Sequence, residues 1–474
     1  MYTDDILSLS LQPFFVQPPT IIIIITMSVL DPMSCECLKS ELDLFSVPPT
    51  QTSIEQTAFK QYHPISSLSG HSPIEFHVPA TDEDYLDLQQ SYLYLKVRIL
   101  SGVGEILTAG GDQQAPVDES FVFPINYFVS TQFKSVDVYL SNSQVSPNDN
   151  LYAYRSYLET LLSYGSDVKD GPLQCGLYFP DTDEPDLHSK DVNKGNCANS
   201  GARIRYLNSR YSSPLEMMGR IHNPLFHQQK LLLNKVDLRL KFNRHDPRFC
   251  LMAFKENENY SIAIDQAILN VCHKTVSPSV RESHEIGLMK SNAKYPIRQS
   301  EMKFFTKAAG HADLSEPNLC SGVIPRRIIV GLVRSDAFNG STHHNPLNFE
   351  THGLESIQVR RNGVALPFDE LKMDFANRHG VNGYMSLYQS FGRLFRDRAI
   401  SLTLDDYISS GCSLYAFDLS QDGEEHNLSP LQEGTVSLQI KLQRATDYSV
   451  TIVVYMEKDG LVEIDKDRNV TIEA

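Results

Sequence analysis

The chain has 474 residues, 41% hydrophobic and 21% charged, which is enough apolar material for two sizeable cores and is not the composition of a disordered protein. Its 42 basic and 58 acidic side chains give a formal charge of −16, which excludes a broad surface that gathers a phosphate backbone by counterion release. The 25 Gly, 25 Pro, 22 Tyr and 23 Phe favour many short strands and turns, and eight cysteines without a CxxC pair or His-Cys zinc spacing fit a reducing compartment.

At the N-terminus the run Ile21 to Ile25 imitates a signal or a membrane span. It follows Pro18 and Pro19, lacks a basic flank because the first Lys is Lys39, and falls far short of the roughly 20 apolar residues of a spanning helix. Residues 1–26 are expected to be an upstream extension of the reading frame, with Met27 as the biological start. From about Leu42 to Leu68 the chain is rich in Pro, Ser, Thr and Gln, as in Val47-Pro48-Pro49-Thr50-Gln51, and reads as an extended arm that contacts neighbours.

Clean period-2 segments follow, as half-buried antiparallel strands require. Leu93, Leu95, Val97 and Ile99 alternate with Tyr94, Lys96 and Arg98, and Val136, Val138 and Leu140 with Asp137 and Tyr139. The pattern recurs at Val236 to Phe242, Val436 to Leu442 and Val450 to Met456, while 326–333 has the composition of a more buried strand. Helical signals are few. One runs from Ser146, as N-cap with Pro147 behind it, through Leu151, Tyr154, Leu158, Leu161 and Leu162 to Gly165. A shorter one spans Gly383 to Gly392 with Tyr384, Leu387, Tyr388 and Phe391 on one face.

The two halves repeat. Phe133-Lys134-Ser135-Val136-Asp137-Val138 matches Leu354-Glu355-Ser356-Ile357-Gln358-Val359, and each is followed by an aromatic helix that ends in aromatic-Gly, Tyr164-Gly165 and Phe391-Gly392. A duplicated antiparallel unit of about 200 residues fits a jelly roll better than an immunoglobulin sandwich of half that size. The expected fold is all-β: two tandem jelly-roll β-sandwiches (a double jelly roll), each with a short inserted helix. The expected division is 1–71 for the extension and arm, 72–279 for the first jelly roll and 280–474 for the second, with the boundary where Val276-Ser277-Pro278-Ser279 interrupts the pattern.

Several phrases also carry a resemblance: Leu42-Asp43-Leu44-Phe45 with Val47 to Ile54, Pro73-Ile74-Glu75-Phe76, Tyr85-Leu86-Asp87-Leu88 and Tyr92 to Val97. Asn223-Pro224-Leu225-Phe226, Asp246-Pro247-Arg248-Phe249, Asn345-Pro346-Leu347-Asn348-Phe349 and Val359-Arg360-Arg361-Asn362-Gly363 continue it. Over roughly residues 42–460 the chain resembles the major capsid protein of Polinton (Maverick) elements and adintovirus-type viruses, the lineage of adenovirus hexons. That resemblance implies a structural subunit of the virion: a homotrimer of pseudo-six-fold outline that tiles an icosahedral shell around double-stranded DNA, assembled in the host cell nucleus. Its implied partners are other copies of itself, a penton-like single jelly-roll minor capsid protein and cement proteins, without strong direct nucleic-acid binding or a membrane span. The other reading is a domesticated host protein that uses the jelly-roll trimer as a binding or interaction module. In the shell, Ser101 to Ser120 and Gly165 to Ser213, with the acidic run Asp181-Thr182-Asp183-Glu184-Pro185-Asp186, are candidate tower loops.

Chemical motifs are sparse. His311-Ala312-Asp313, with His343, His344, His352 and His379 downstream, has the outline of a two-His-one-carboxylate iron site, but its neighbours read as a loop. GxSxG, GxxxxGK[ST] and HExxH are absent from the sequence, and no catalytic residue, cofactor or metal ligand is assigned. Arg326-Arg327 and Arg360-Arg361 read as edge charges or subunit salt bridges, Cys35 and Cys37 as free thiols, and Arg393, Arg396 and Arg398 as the densest basic cluster.

Overall fold

The structure is a computed structural model that describes residue 33 and residues 39–107, 121–147, 149–186, 190–254, 259–395, 400–421, 423 and 428–473. The isoleucine run, Met27, Cys35, Cys37, Arg396 and Arg398 lie outside the described residues, as does most of the 101–120 loop. The chain divides into a unit 1–51 and a unit 52–474. Within the first, a single helical turn at Ser40–Leu42 leads into extended chain whose Leu42, Leu44, Phe45 and Val47 are exposed.

In the second unit, apart from Phe123–Pro124 and Leu251–Met252, which pair with each other as a two-stranded sheet, the first eight strands are β1 (Ile54–Tyr62), β2 (Ile74–Val78), β3 (Asp84–Ser101), β4 (Phe133–Leu140), β5 (Ser143–Gln144), β6 (Leu215–Arg220), β7 (Leu238–Arg244) and β8 (Tyr260–Val276). They form two antiparallel sheets, ordered β1-β8-β3-β6 and β2-β7-β4-β5. The next eight are β9 (Ala293–Lys307), β10 (Glu316–Val323), β11 (Arg327–Arg334), β12 (Leu354–Arg361), β13 (Val364–Ala365), β14 (Leu414–Asp418), β15 (Glu433–Leu442) and β16 (Val450–Ile464). Their sheets run β9-β16-β11-β14 and β10-β15-β12-β13, with the short strands Val470–Glu473 and Leu371–Lys372 added beside β16 and β12. Each strand of the first set therefore has a counterpart eight places later, in the same position of the same kind of sheet. Two four-stranded Greek-key sheets per half are a jelly roll, and the chain is a double jelly roll. The repeated hexapeptides 133–138 and 354–359 fall on the counterparts β4 and β12.

The alternation read from sequence builds the two cores. Leu93, Leu95, Val97 and Ile99 of β3 point inward, as do Leu238, Leu240 and Phe242 of β7 and Val436, Leu438, Ile440 and Leu442 of β15, all essentially without solvent contact. Each such side chain contributes about 1.5–3 kcal/mol of burial free energy, so the sandwiches are held chiefly by these inner faces. A helix is inserted after the fifth strand of each set: α1 (Tyr152–Ser163) in the first, and α4 (Val381–Ser390) followed by α5 (Leu404–Ser409) in the second. Between them, α2 (Ser200–Ser209) belongs to the long β5–β6 connection, and α3 (Pro278–Leu288) links β8 to β9.

Three local expectations are corrected. Ile54–Tyr62, read as arm, is the outer strand of the first sheet, paired with β8 from Ile54↔Val276 to Tyr62↔Leu269. Because it is an edge strand with six of nine residues exposed, it carries no apolar alternation to announce it. Ser146 does not cap α1, which starts at Tyr152; its Oγ instead accepts the Val138 N–H at 3.0 Å and holds the end of β4. Finally, 165–213 is not a hydrophilic loop. It folds into short helices and α2, whose Arg205 is fully buried, because that arginine replaces apolar contacts with hydrogen bonds to the Pro124 and Phe179 carbonyls.

Candidate functional site

The functionally suggestive region is the seam where α1 of the first sandwich lies on the outer face of the second. Tyr152, Tyr154, Arg155, Tyr157, Leu158, Leu161 and Leu162 of α1 are all buried, so the helix is covered on every side. Tyr154 stacks on Phe338 with ring centroids 5.6 Å apart and meets Phe349 edge-on, and Tyr157 stacks on Phe349 at 6.4 Å. Phe349 can come this close because Gly331 of β11 has no side chain; a Cβ there would collide with the Phe349 ring. β16 is buried on both faces from Val450 to Glu457, and its Tyr455 hydroxyl reaches Glu159 of α1.

Polar groups are threaded through this contact. Asp149 pairs with Arg155 at 3.0 Å. Glu159 of α1 receives His222 Nδ1 at Oε2 (2.8 Å), while its Oε1 has only the long contacts of Tyr455 (3.4 Å) and Ser300 (3.5 Å) from the second sandwich. Burial opposes ionisation of Glu159, but the His222 hydrogen bond and the nearby cationic groups outweigh it and hold the carboxyl at about 2. The one Tyr455 proton has its shorter contact with Glu457 (3.2 Å), which pairs with Arg327 (2.8 Å). Arg327 in turn donates to the Ser390 carbonyl and lies over the Phe391 ring at 4.1 Å, tying α4 to the same chain of contacts. Burial drives the Tyr455 hydroxyl well above its ordinary range, so it stays a neutral donor.

A second set of bonds crosses the seam through the acidic run. Asp181 pairs with the buried Arg205 at 2.5 Å, accepts from Asn199, and also accepts from Asn345 of the second half at 3.0 Å. Asp186 accepts the Asn345 N–H (2.7 Å) and the Asn348 amide (3.0 Å). Asn348 also donates to Glu350, whose carboxyl burial and the neighbouring Asp186 push up to about 7. The acidic run is thus a clamp between the sandwiches. A buried group left without its partner here would cost about 1–3 kcal/mol, so these bonds fix one register of the two halves.

Among the described residues, the His, Cys, Asp and Glu side chains that bring three potential ligand atoms together are Glu159, His222 and His227, all within 4.8 Å of one another. These three residues are not among the candidates that the sequence offers. The signal available was a pair of histidines bracketing Asn223-Pro224-Leu225-Phe226, a phrase noted only for its resemblance. The histidines that were singled out are dispersed. His311 and Asp313 are exposed in the β9–β10 turn, His344 faces Asp186 and Asp336, His352 bonds to Tyr448, and His379 closes an exposed turn with Asp374. Arg326 and Arg327 are buried in β11 and the residue before it rather than standing on an edge, because β11 is paired on both sides, with β14 and β16. The buried thiols are inert, Cys412 being pushed up to about 12 by burial. No helix among the described residues is long and apolar enough to cross a membrane.

No family model matches the sequence. An uncharacterized protein of Caenorhabditis elegans is 24% identical over 436 residues, covering 90% of this chain and 100% of that protein. Among solved structures, a chain from the cryo-EM structure of the Sputnik virophage superposes with a TM-score of 0.64 at 11% identity, covering 94% of each chain. The Faustovirus major capsid protein superposes at 0.55 and 10% identity, over 88% of this chain and 92% of that one. At such identities these likenesses concern the fold: the double jelly roll read from strand order is that of viral major capsid proteins.

Proposed function

We propose that the chain is a structural, non-enzymatic major capsid subunit, of the Polinton or adintovirus type, that forms pseudo-hexameric homotrimers tiling an icosahedral shell around double-stranded DNA. The observation that carries this reading is the one-to-one duplication of the jelly roll, together with a fold shared over nearly the whole length of the Faustovirus major capsid protein. A trimer of two like sandwiches has six comparable sides, which is the outline needed for hexagonal packing.

The seam supports closure into a ring. Within the chain, α1 covers the outer face of β9-β16-β11-β14. The counterpart face, on β1-β8-β3-β6, leaves Phe59 and Met218 half exposed beside Tyr92 and Tyr94. The counterpart helix α4 leaves Val381 exposed, and Val381 stands ten residues before Phe391 as Tyr154 stands before Tyr164. Joining α4 of one copy to that sheet of the next would repeat the internal seam between molecules and cover both apolar faces. The acidic charge leaves the genome to be neutralised by other proteins or by cations. A penton-like single jelly roll and cement proteins complete the shell, the virion is the final location and the nucleus the place of assembly.

The full-length relative in an animal, C. elegans, favours as second reading a host protein that keeps the trimer as an interaction module. Sedimentation of the purified chain tests both. A trimer that grows into shells supports the capsid, a trimer that never assembles further supports the module, and a monomer at high concentration contradicts both.

A further inference from the structure

Glu159, His222 and His227 are brought together from two separate stretches of chain, α1 and the turn that follows β6. Two of their atoms are poorly provided for. Nε2 of His227 is buried without a hydrogen-bond partner, and Oε1 of Glu159 has only the 3.4 and 3.5 Å contacts of Tyr455 and Ser300, at the weak end of hydrogen bonding. Buried polar atoms are nearly always satisfied, so an unpartnered imidazole nitrogen beside an under-bonded carboxylate calls for a common partner. With His227 as the neutral Nδ1–H tautomer both atoms are acceptors, and the partner that suits them together is positive. Elsewhere the ring of His222 is already fixed: its Nε2 meets the Tyr127 hydroxyl at 2.9 Å, the outer hydrogen bond that ligating imidazoles characteristically make.

We propose that Glu159, His222 through Nδ1 and His227 through Nε2 bind a structural zinc ion that pins α1 to the turn after β6 at the seam between the sandwiches. Two imidazoles and one carboxylate are a borderline nitrogen-oxygen set, which suits zinc; calcium and magnesium prefer oxygen alone. The side chains of His222 and Glu159 are 2% and 12% exposed, a closed setting that leaves little room for a substrate and so points to a structural ion. The ion leaves the hydrogen bond from His222 Nε2 to Tyr127 in place and takes over the contact between His222 Nδ1 and Glu159. The inference rests on this seam alone and stands whether or not the chain builds shells.

The test uses the full chain without a histidine tag, stripped with a chelator, dialysed against zinc chloride and freed of excess metal. One zinc per chain by mass spectrometry of the elements is expected, with an unfolding midpoint several degrees above that of the stripped protein. Cobalt(II) in place of zinc is expected to give the visible absorption of a tetrahedral nitrogen-oxygen site. His227→Gln, which keeps a polar side chain of similar size, is expected to retain less than a tenth of the zinc and to lose the cobalt spectrum while keeping the wild-type circular dichroism. Should His227→Gln misfold, Glu159→Gln provides the same comparison. Wild-type protein that retains no zinc and shows no cobalt band overturns the proposal, as does a folded variant that binds zinc as well as wild type. Either of those results leaves the capsid reading untouched, because trimers and shells are measured separately.

Discussion

Asp186 and Glu350 face one another across the seam, and their closeness has a measurable cost. A carboxyl raised to about 7 in the folded state from an ordinary value near 4.5 binds its proton more tightly when folded than unfolded. Its contribution to stability is therefore complete below about pH 4.5 and is lost as pH rises through about 7. Glu350→Gln keeps the hydrogen bond with Asn348 but cannot ionise. Thermal unfolding across pH 5 to 8 is expected to show the wild type losing stability relative to the variant as pH rises, by on the order of 2–3 kcal/mol at pH 8. A constant difference between the two would contradict this account of the pair. In the metal-free chain Glu159 behaves in the opposite way: held at about 2 by His222 despite burial, it stabilises the fold above the ordinary carboxyl range, and that contribution is lost as pH falls from about 4.5 through 2. None of these pairings was legible in the sequence. Asp181 and Asp186 read as part of a candidate tower loop because nothing in their spacing tells that Asn345 and Asn348, some 160 residues on, supply their donors.

Elements were more legible where one face is buried and the other wet. The period-2 runs of β3, β7 and β15 and the buried run of β11 lie where their alternation or apolar content places them, since burial of one face fixes both strand and register. The helices α1 and α4 were visible from their aromatic stripes to within a few residues at their starts. What failed was the edge strand β1, exposed on both faces, and the connection 165–213, where buried arginine and asparagine take the place of an apolar pattern. The close approach of α1 to the second sandwich depends on Gly331. Gly331→Ala puts a methyl group into the Phe349 ring and within 3.0 Å of Leu414, and is expected to destabilise the folded chain by about 1–3 kcal/mol in denaturant unfolding. A change under about 0.5 kcal/mol would show that Phe349 has room to move and that the helix is not tightly seated.

At the scale of the whole molecule, the duplication detected as a repeated hexapeptide proves to be a duplication of all eight strands and their order. The inserted helix after the fifth strand belongs to it too, and this gives the two halves different fates. The first half's helix is spent inside the chain, whereas the second half's helix and the first half's sheet keep apolar residues at the surface. A formal charge of −16 makes salt a control on the proposed assembly, because like-charged copies repel less when screened. The central claim is that this chain closes on copies of itself as it closes on itself. Cryo-electron microscopy of the purified full-length protein tests that claim most directly. The expected image is a trimer of six sandwiches with hexagonal outline, α4 of each copy seated on Phe59, Tyr94 and Met218 of the next, alone or within shells. A monomer at high protein concentration, or an oligomer joined through other surfaces while α4 stays exposed, would contradict it.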